Sequence, residues 1–309
     1  MAVQKAKRRK SLLRLALTGP TNSGKTYSAL RLAHGIVKAN FPEATEDQVW
    51  EKVCVIDTER DRALFYAERT DLPMPTGQFN YISIEAPYTP EKYIAAVADA
   101  SAVVGPEGCV IIDSLTHAWA YSGGILDMHK NSVSKGKNSF TSWNEYGAIQ
   151  NNLIDTILTV KTNLIATMRS KMDYVLEPNA EGKMQPVKKG LKPVQRDDTE
   201  YEFDVTLMLD NNHMPTIVKD TTFLNAVGLD EPITEQLGEQ LITWLKQGID
   251  PKEFEKAKIE NLTKEIKSLG KQHPALRNMF DTLHPNWNIN ELTLAQAKTV
   301  LEEFNNALT

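Results

Sequence analysis

The residues with the clearest capacity for chemistry are Gly19-Pro20-Thr21-Asn22-Ser23-Gly24-Lys25-Thr26. Their spacing, G-x-x-x-x-G-K-T, is that of a phosphate-cradling loop. Glycines at both ends let the backbone turn tightly without Cβ clashes. Successive N–H groups then point inward as an anion nest. A helix starting near Gly24 adds the positive end of its dipole. Lys25 is placed to reach the β- and γ-phosphates of a nucleotide, and the Thr26 hydroxyl to bind Mg²⁺. The expected contacts are Gly19, Pro20, Thr21, Asn22, Ser23, Gly24, Lys25, Thr26 and the neighbouring Tyr27.

The flanking elements fit that role. Leu12 to Leu17 is a short apolar run, as a buried parallel strand requires. Tyr27, Leu30, Leu32, Ala33, Ile36 and Val37 follow at helical spacing. Val53 to Asp57 reads as a second buried strand after a polar connection over 40–52, and it runs into Thr58-Glu59-Arg60-Asp61-Arg62. Cys109 to Ser114 is another hydrophobic strand. It ends in Asp113, whose carboxylate is expected to hold Mg²⁺ through water.

Further strands are expected over 79–84, 163–168, 202–209 and 214–219, the last two joined as a hairpin at 210–213. Helices are expected over 90–104 and 144–160. Alternating strands and helices imply an α/β fold with a mainly parallel sheet flanked by helices. From Glu231 the pattern turns helical, with helices at 254–269 and 292–308 separated by a Pro-containing stretch, 273–285. The expected division is a basic tail (1–10), a nucleotide-binding core (11–228) and a small all-helical C-terminal domain (231–309).

Hydrolysis needs a group that activates water. Glu59 lies just past the second strand, where ligands sit outside the carboxyl ends of a parallel sheet. It is the expected catalytic base. Glu145 is read as a first-turn acid favoured by a helix dipole. Two long polar segments, 122–143 and 170–200, read as loops. The first carries Lys130, Lys135 and Lys137. The second carries Lys183, Lys188, Lys189, Lys192 and Arg196 without an intervening acid. These eight cations are candidate DNA contacts. Trp119, Tyr121, Phe140 and Trp143 lie near the first loop, where aromatic rings can stack on bases or pack in a core or interface.

Composition narrows the classes. The chain has 309 residues, 41% hydrophobic and 24% charged, as an ordinary globular protein has. A net charge of −5 gives no bulk attraction to nucleic acid, so any DNA contact must be local. No apolar run is long enough to span a membrane and no signal peptide is legible, so a cytoplasmic location is expected. Cys54 and Cys109 sit in strand-like runs as buried thiols.

The order G-P-T-N-S-G-K-T, V-I-D-T-E-R and V-I-I-D-S resembles the RecA-like recombinase core. The finer spelling is similar to phage and prophage RecA-like ATPases linked to DNA recombination and single-strand annealing. It is carried by Ala86 to Tyr93, Asp113 to Trp119, Thr167 to Lys171 and Val194 to Arg196, and covers about residues 11–225. The resemblance implies ATP and Mg²⁺ as cofactors, held by Lys25, Thr26 and Asp113, with Glu59 as the catalytic glutamate. It implies single-stranded DNA at the two loops and a homo-oligomeric ring or filament. It also implies that Lys219 reaches into the neighbouring subunit's ATP. In a phage-encoded protein the location would be the bacterial host cytoplasm. Two departures stand out: Thr167 where RecA proteins have a glutamine sensor, and Thr221 where many phage relatives have an arginine.

Two other readings compete. One is a nucleotide-switched assembly or loading factor with little turnover, whose helical tail docks a single-strand-binding or replication protein. The weaker one is a small-molecule kinase. It needs an arginine-rich lid, and Arg60, Arg62 and Arg69 are placed wrongly for one.

Overall fold

A computed structural model describes residues 5–178, 183–248 and 251–308. The chain begins with β1 (Arg14–Gly19), α1 (Lys25–Asn40), α2 (Glu46–Trp50), β2 (Val53–Asp57), β3 (Asn80–Ser83), α3 (Pro90–Val104) and β4 (Cys109–Asp113). It continues with α4 (Thr116–Ala120), α5 (Ile125–Ser134), α6 (Trp143–Thr159), β5 (Asn163–Pro178), β6 (Met184–Pro193), β7 (Val205–Leu209) and β8 (Pro215–Asp220). Helices α7 (Leu224–Val227), α8 (Glu235–Lys246), α9 (Pro251–Gln272), α10 (Pro274–Leu283) and α11 (Leu294–Leu308) complete it.

The sheet order is β3-β2-β4-β5-β1-β7-β8, with β6 added to β5. All pairings from β3 to β7 are parallel, and β7–β8 is an antiparallel hairpin, as expected. The central strands are buried on both faces, which explains their unbroken apolar runs. Alternation sorts their side chains into two cores. Leu15, Leu17, Val53, Val55 and Ile111 pack with α1, α2 and α8. Ala16, Cys54, Ile56, Val110, Ile112 and Met168 pack with α3 and α6. Cys54 and Cys109 are buried free thiols.

Both segments read as loops contain regular structure. The first holds α5, with Ile125, His129 and Ser132 buried. The second is mostly a two-stranded ribbon: β5 runs on to Pro178 and pairs antiparallel with β6. Met172, Tyr174 and Leu176 alternate with Lys171, Asp173 and Glu177, which is a strand period obscured by the lysines and prolines around it. Shorter helices also form inside the connection 40–52 (α2, closed by a Thr45/Gln48 capping box) and inside 273–285 (α10).

The chain divides into Leu12–Leu245 and a second unit of the described residues of 1–11 with those from Lys246 onward. The boundary expected at 228–231 is therefore corrected. Leu237, Leu241, Ile242 and Leu245 of α8 belong to the core beneath the sheet. Residues 5–11 are not a free tail: Arg8 Nη1 approaches Gln247 Oε1 at 3.4 Å. In the second unit, Ile266, Leu276, Phe280, Ala297, Val300 and Phe304 make a separate core among α9, α10 and α11.

The close approach of α8 to α1 gives a test of that boundary. A Cβ on Gly35 would lie 1.8 Å from the Glu235 carbonyl oxygen. Backbone cannot yield as a side-chain tip can, so Gly35→Ala is expected to destabilise the core by about 1–3 kcal/mol or more. A lowered denaturant midpoint is the readout. An unchanged midpoint would place α8 outside the core.

Candidate active site

The loop after β1 has the geometry its spelling demands. Gly19 and Gly24 adopt φ of 153° and 83°. A Cβ at Gly19 would come 2.5 Å from the Leu209 carbonyl oxygen, so only glycine fits where β1 passes β7. Lys25 opens α1, and its ammonium donates to the carbonyls of Gly19 at 3.0 Å and Pro20 at 2.6 Å. Only 9% of the residue is exposed. Burial lowers the Lys25 pKa, an effect opposed by Asp113 and Glu59 nearby.

β5 lies between β1 and β4, and this order builds the centre of the site. Thr26 Oγ1 donates to Asp113 Oδ2 at 2.5 Å, and Thr167 Oγ1 donates to Asp113 Oδ1 at 2.5 Å. Burial raises the Asp113 pKa, while the two hydroxyls pull it back. Thr167, noted as a departure at a sensor position, therefore orients the carboxylate.

Glu59 is held beside Asp113 by the backbone. Asp57 accepts the amides of Glu59 and of Ala63, the latter at 2.8 Å, which tightens the turn after β2. The Thr58 amide donates to the Asp113 carbonyl at 2.8 Å, continuing the ladder past the strand ends. Thr58 Oγ1 also contacts His117 Nδ1 at 2.5 Å. Burial drives the His117 pKa down to about 4, so this imidazole is neutral at pH 7. Arg169 grips Glu59 with two nitrogens: Nε to Oε1 at 2.8 Å and Nη2 to Oε2. Burial alone would raise the Glu59 pKa, but the Arg169 guanidinium outweighs it and holds the carboxyl below its usual range.

Thr21, Asn22, Gly24, Lys25, Thr26, Tyr27, Glu59 and Asp113 all line one cavity of about 790 Å³. Gly19, Pro20 and Ser23 form the loop beneath it. Tyr27 stacks on Tyr66 at 6.0 Å between ring centres and bonds through its hydroxyl to Met74. Thr26 and Asp113 are the residues that could hold a divalent cation. Among the described residues, no three of His, Cys, Asp or Glu gather as a self-sufficient metal site. A hydroxyl and a carboxylate beside a phosphate cradle suit Mg²⁺, which keeps several waters and takes its remaining ligands from the nucleotide.

Other predicted residues lie elsewhere. Lys219 is on the edge strand β8, outside the cavity, bonded to the Tyr201 carbonyl. Thr221 is bonded to the Asp204 carbonyl at 3.0 Å. Lys137 pairs with Glu145 at 2.5 Å, and Lys192 with Asp197 at 2.8 Å. Arg196 bonds to Asn151 in a groove that also holds Asp155, Asp197, Asp198 and Glu202. Lys130 and Lys135 are exposed at α5 and just after it, and Lys183 and Lys188 are exposed at the ribbon. The Lys189 side chain lies outside the described residues. Trp119 stacks on Trp143 at 6.3 Å, and Phe140 is exposed.

Sequence reasoning gave no role in the site to Arg169 or Tyr66 and did not place Arg62 and Arg69 there, yet all four line the cavity. Arg62 and Arg69, judged wrongly placed for a kinase lid, do line this cavity, because the turn after β2 comes back to α1, where Tyr66 stacks on Tyr27. Arg169 had a signal. It follows Thr167 by two residues, so strand alternation puts both on the side of Asp113 and Glu59.

The family model described as an AAA domain matches residues 11–224. No curated protein matches the chain. Among the described residues no helix is long and apolar enough to cross a membrane.

Proposed function

Because the chain belongs to the AAA-domain family of P-loop ATPases, we propose that it hydrolyses MgATP in this cavity and acts on single-stranded DNA in recombination or annealing. The observation that carries the ATPase half is the convergence of Lys25, Thr26, Asp113 and Glu59 on one cavity. The loop amides and Lys25 hold the phosphates, and Thr26 and Asp113 hold Mg²⁺. That ion, when bound, neutralises charge on the phosphate oxygens. Glu59 takes a proton from water as its oxygen bonds to the γ-phosphorus. The bond to the β–γ bridging oxygen breaks, giving ADP and phosphate. The Tyr66 ring offers a face for the nucleobase.

The ribbon supports the DNA half. Lys171 stands opposite Lys192 on one of its faces. The other face carries Met172, Tyr174, Leu176 and Lys188, with Tyr174 54% exposed. Cations track phosphates while an aromatic ring stacks on bases. Arg196 contributes least, since its acidic groove repels phosphate. Lys130, Lys135, Lys183 and Lys189 remain candidate contacts. We place the protein in a homo-oligomer in which Lys219 serves a neighbouring site.

Phosphate release measured with and without an oligonucleotide tests the whole reading. Stimulation by DNA is expected, and no DNA effect on rate or binding at low salt would remove the DNA half. Reversing Lys171 and Lys188 to Glu is expected to lower affinity for single-stranded DNA at least tenfold, and to reduce the salt slope by about 1.4 for two lost phosphate contacts. Fluorescence anisotropy across a salt series gives both.

The separate core of the C-terminal helices favours a second reading, a nucleotide-switched loading factor docking a replication partner. Removing residues 246–309 separates the two: lost partner binding with DNA affinity intact supports the loading factor.

A further inference from the structure

The Glu59–Arg169 pair has a consequence that rests on the ATPase reading and goes beyond it. All three guanidinium nitrogens of Arg169 are engaged. Nε and Nη2 hold the two oxygens of Glu59, and Nη1 donates to the Tyr121 hydroxyl at 3.0 Å. The side chains are 28% and 11% exposed, and both face the cavity that contains Lys25 and Asp113. A carboxylate gripped by a guanidinium fork is a poor base for water. The same fork matches phosphate oxygens as well as carboxylate oxygens, and it stays charged throughout.

We propose that Arg169 is an exchange switch. In the nucleotide-free site it holds Glu59, and it transfers to the γ-phosphate when ATP arrives, freeing Glu59 to accept a proton. ADP lacks that phosphate and leaves the pair closed. The catalytic carboxylate is thus released only by the group it acts on. Arg169 is a positioning residue toward Glu59 and a specificity residue for a triphosphate over a diphosphate. Tyr121 offers the third nitrogen an anchor about which the fork can turn.

A double-mutant cycle read by equilibrium binding of a non-hydrolysable ATP analogue and of ADP, each with Mg²⁺, tests this on the full chain. Arg169→Ala is expected to weaken analogue binding about tenfold while ADP affinity stays within about twofold. Glu59→Gln removes the charge and one of the two acceptor oxygens that compete for the fork, and is expected to tighten analogue binding several-fold with little change for ADP. In the Arg169→Ala background, Glu59→Gln is expected to change neither. Simple electrostatic relief at the γ-phosphate would survive in that background, so a persistent gain overturns the switch. Equal losses for both nucleotides in Arg169→Ala also overturn it and leave Arg169 a structural partner. Should Arg169→Ala not fold, Arg169→Lys keeps the charge without the fork, and an intermediate preference for the analogue is expected; full wild-type preference overturns the switch. If the wild-type chain binds neither nucleotide, the ATPase reading falls with it.

Discussion

Lys25→Ala is expected to lower ATP turnover at least about a thousandfold, because it deletes the one ammonium inside the phosphate cradle, where charge stabilisation is worth most. That ammonium bonds to the Gly19 and Pro20 carbonyls and the Ser23 hydroxyl of its own loop. Its pKa is lowered by burial, so the folded protein gains little from keeping it charged. The variant is therefore expected to unfold at the same temperature as the wild type or slightly above. That separates the prediction from a folding defect: phosphate release and nucleotide binding disappear while the melting curve stays. A variant that melts normally and still turns over ATP would remove Lys25 from the chemistry.

Glu59→Gln is expected to cost about two to four orders of magnitude in kcat, the range for loss of a general base. Nucleotide binding should survive, since the cradle does not use Glu59. The pH dependence carries a second signature. Arg169 holds the Glu59 carboxyl below its usual range, and kcat/KM reports the pKa values of the enzyme before substrate binds. The acid limb of kcat/KM is therefore expected below the ordinary glutamate value. Arg169→Ala removes the guanidinium but leaves the burial, so that limb moves upward. Stability follows the same sign. A depressed carboxyl pKa stabilises the fold above the unfolded-state value, and the contribution is lost as pH falls through the folded one. A limb that does not move in Arg169→Ala would assign the titration to another group.

The parts of this protein that rest on local rules were legible in its residues. The cradle follows from glycine spacing, since glycine adopts φ of 83° at Gly24 without Cβ strain and a Cβ at Gly19 would meet the Leu209 carbonyl. The parallel sheet follows from short apolar runs separated by helical periods, and β2 and β4 match their expected spans closely. Asp113 and Glu59 follow from lying at the carboxyl ends of such strands.

What the residues alone left open depends on strand order and on packing between distant segments. Nothing local announces that β5 enters between β1 and β4, yet that order gives Thr167 to Asp113 and Arg169 to Glu59, 110 positions apart. The ribbon was hidden because the alternation of Met172, Tyr174 and Leu176 with charged side chains is surrounded by lysines and prolines, which read as solvated loop when charge is weighed over period. Helix α8 looked like the start of the appendage because its apolar stripe says only that it packs, and the partner beneath the sheet is set by the glycine contact with α1. Sequence determined which groups this protein can bring to a phosphate. Tertiary structure decided which of them touch, because hydrogen bonds and ion pairs act over a few ångströms, and chain distance carries no information at that scale.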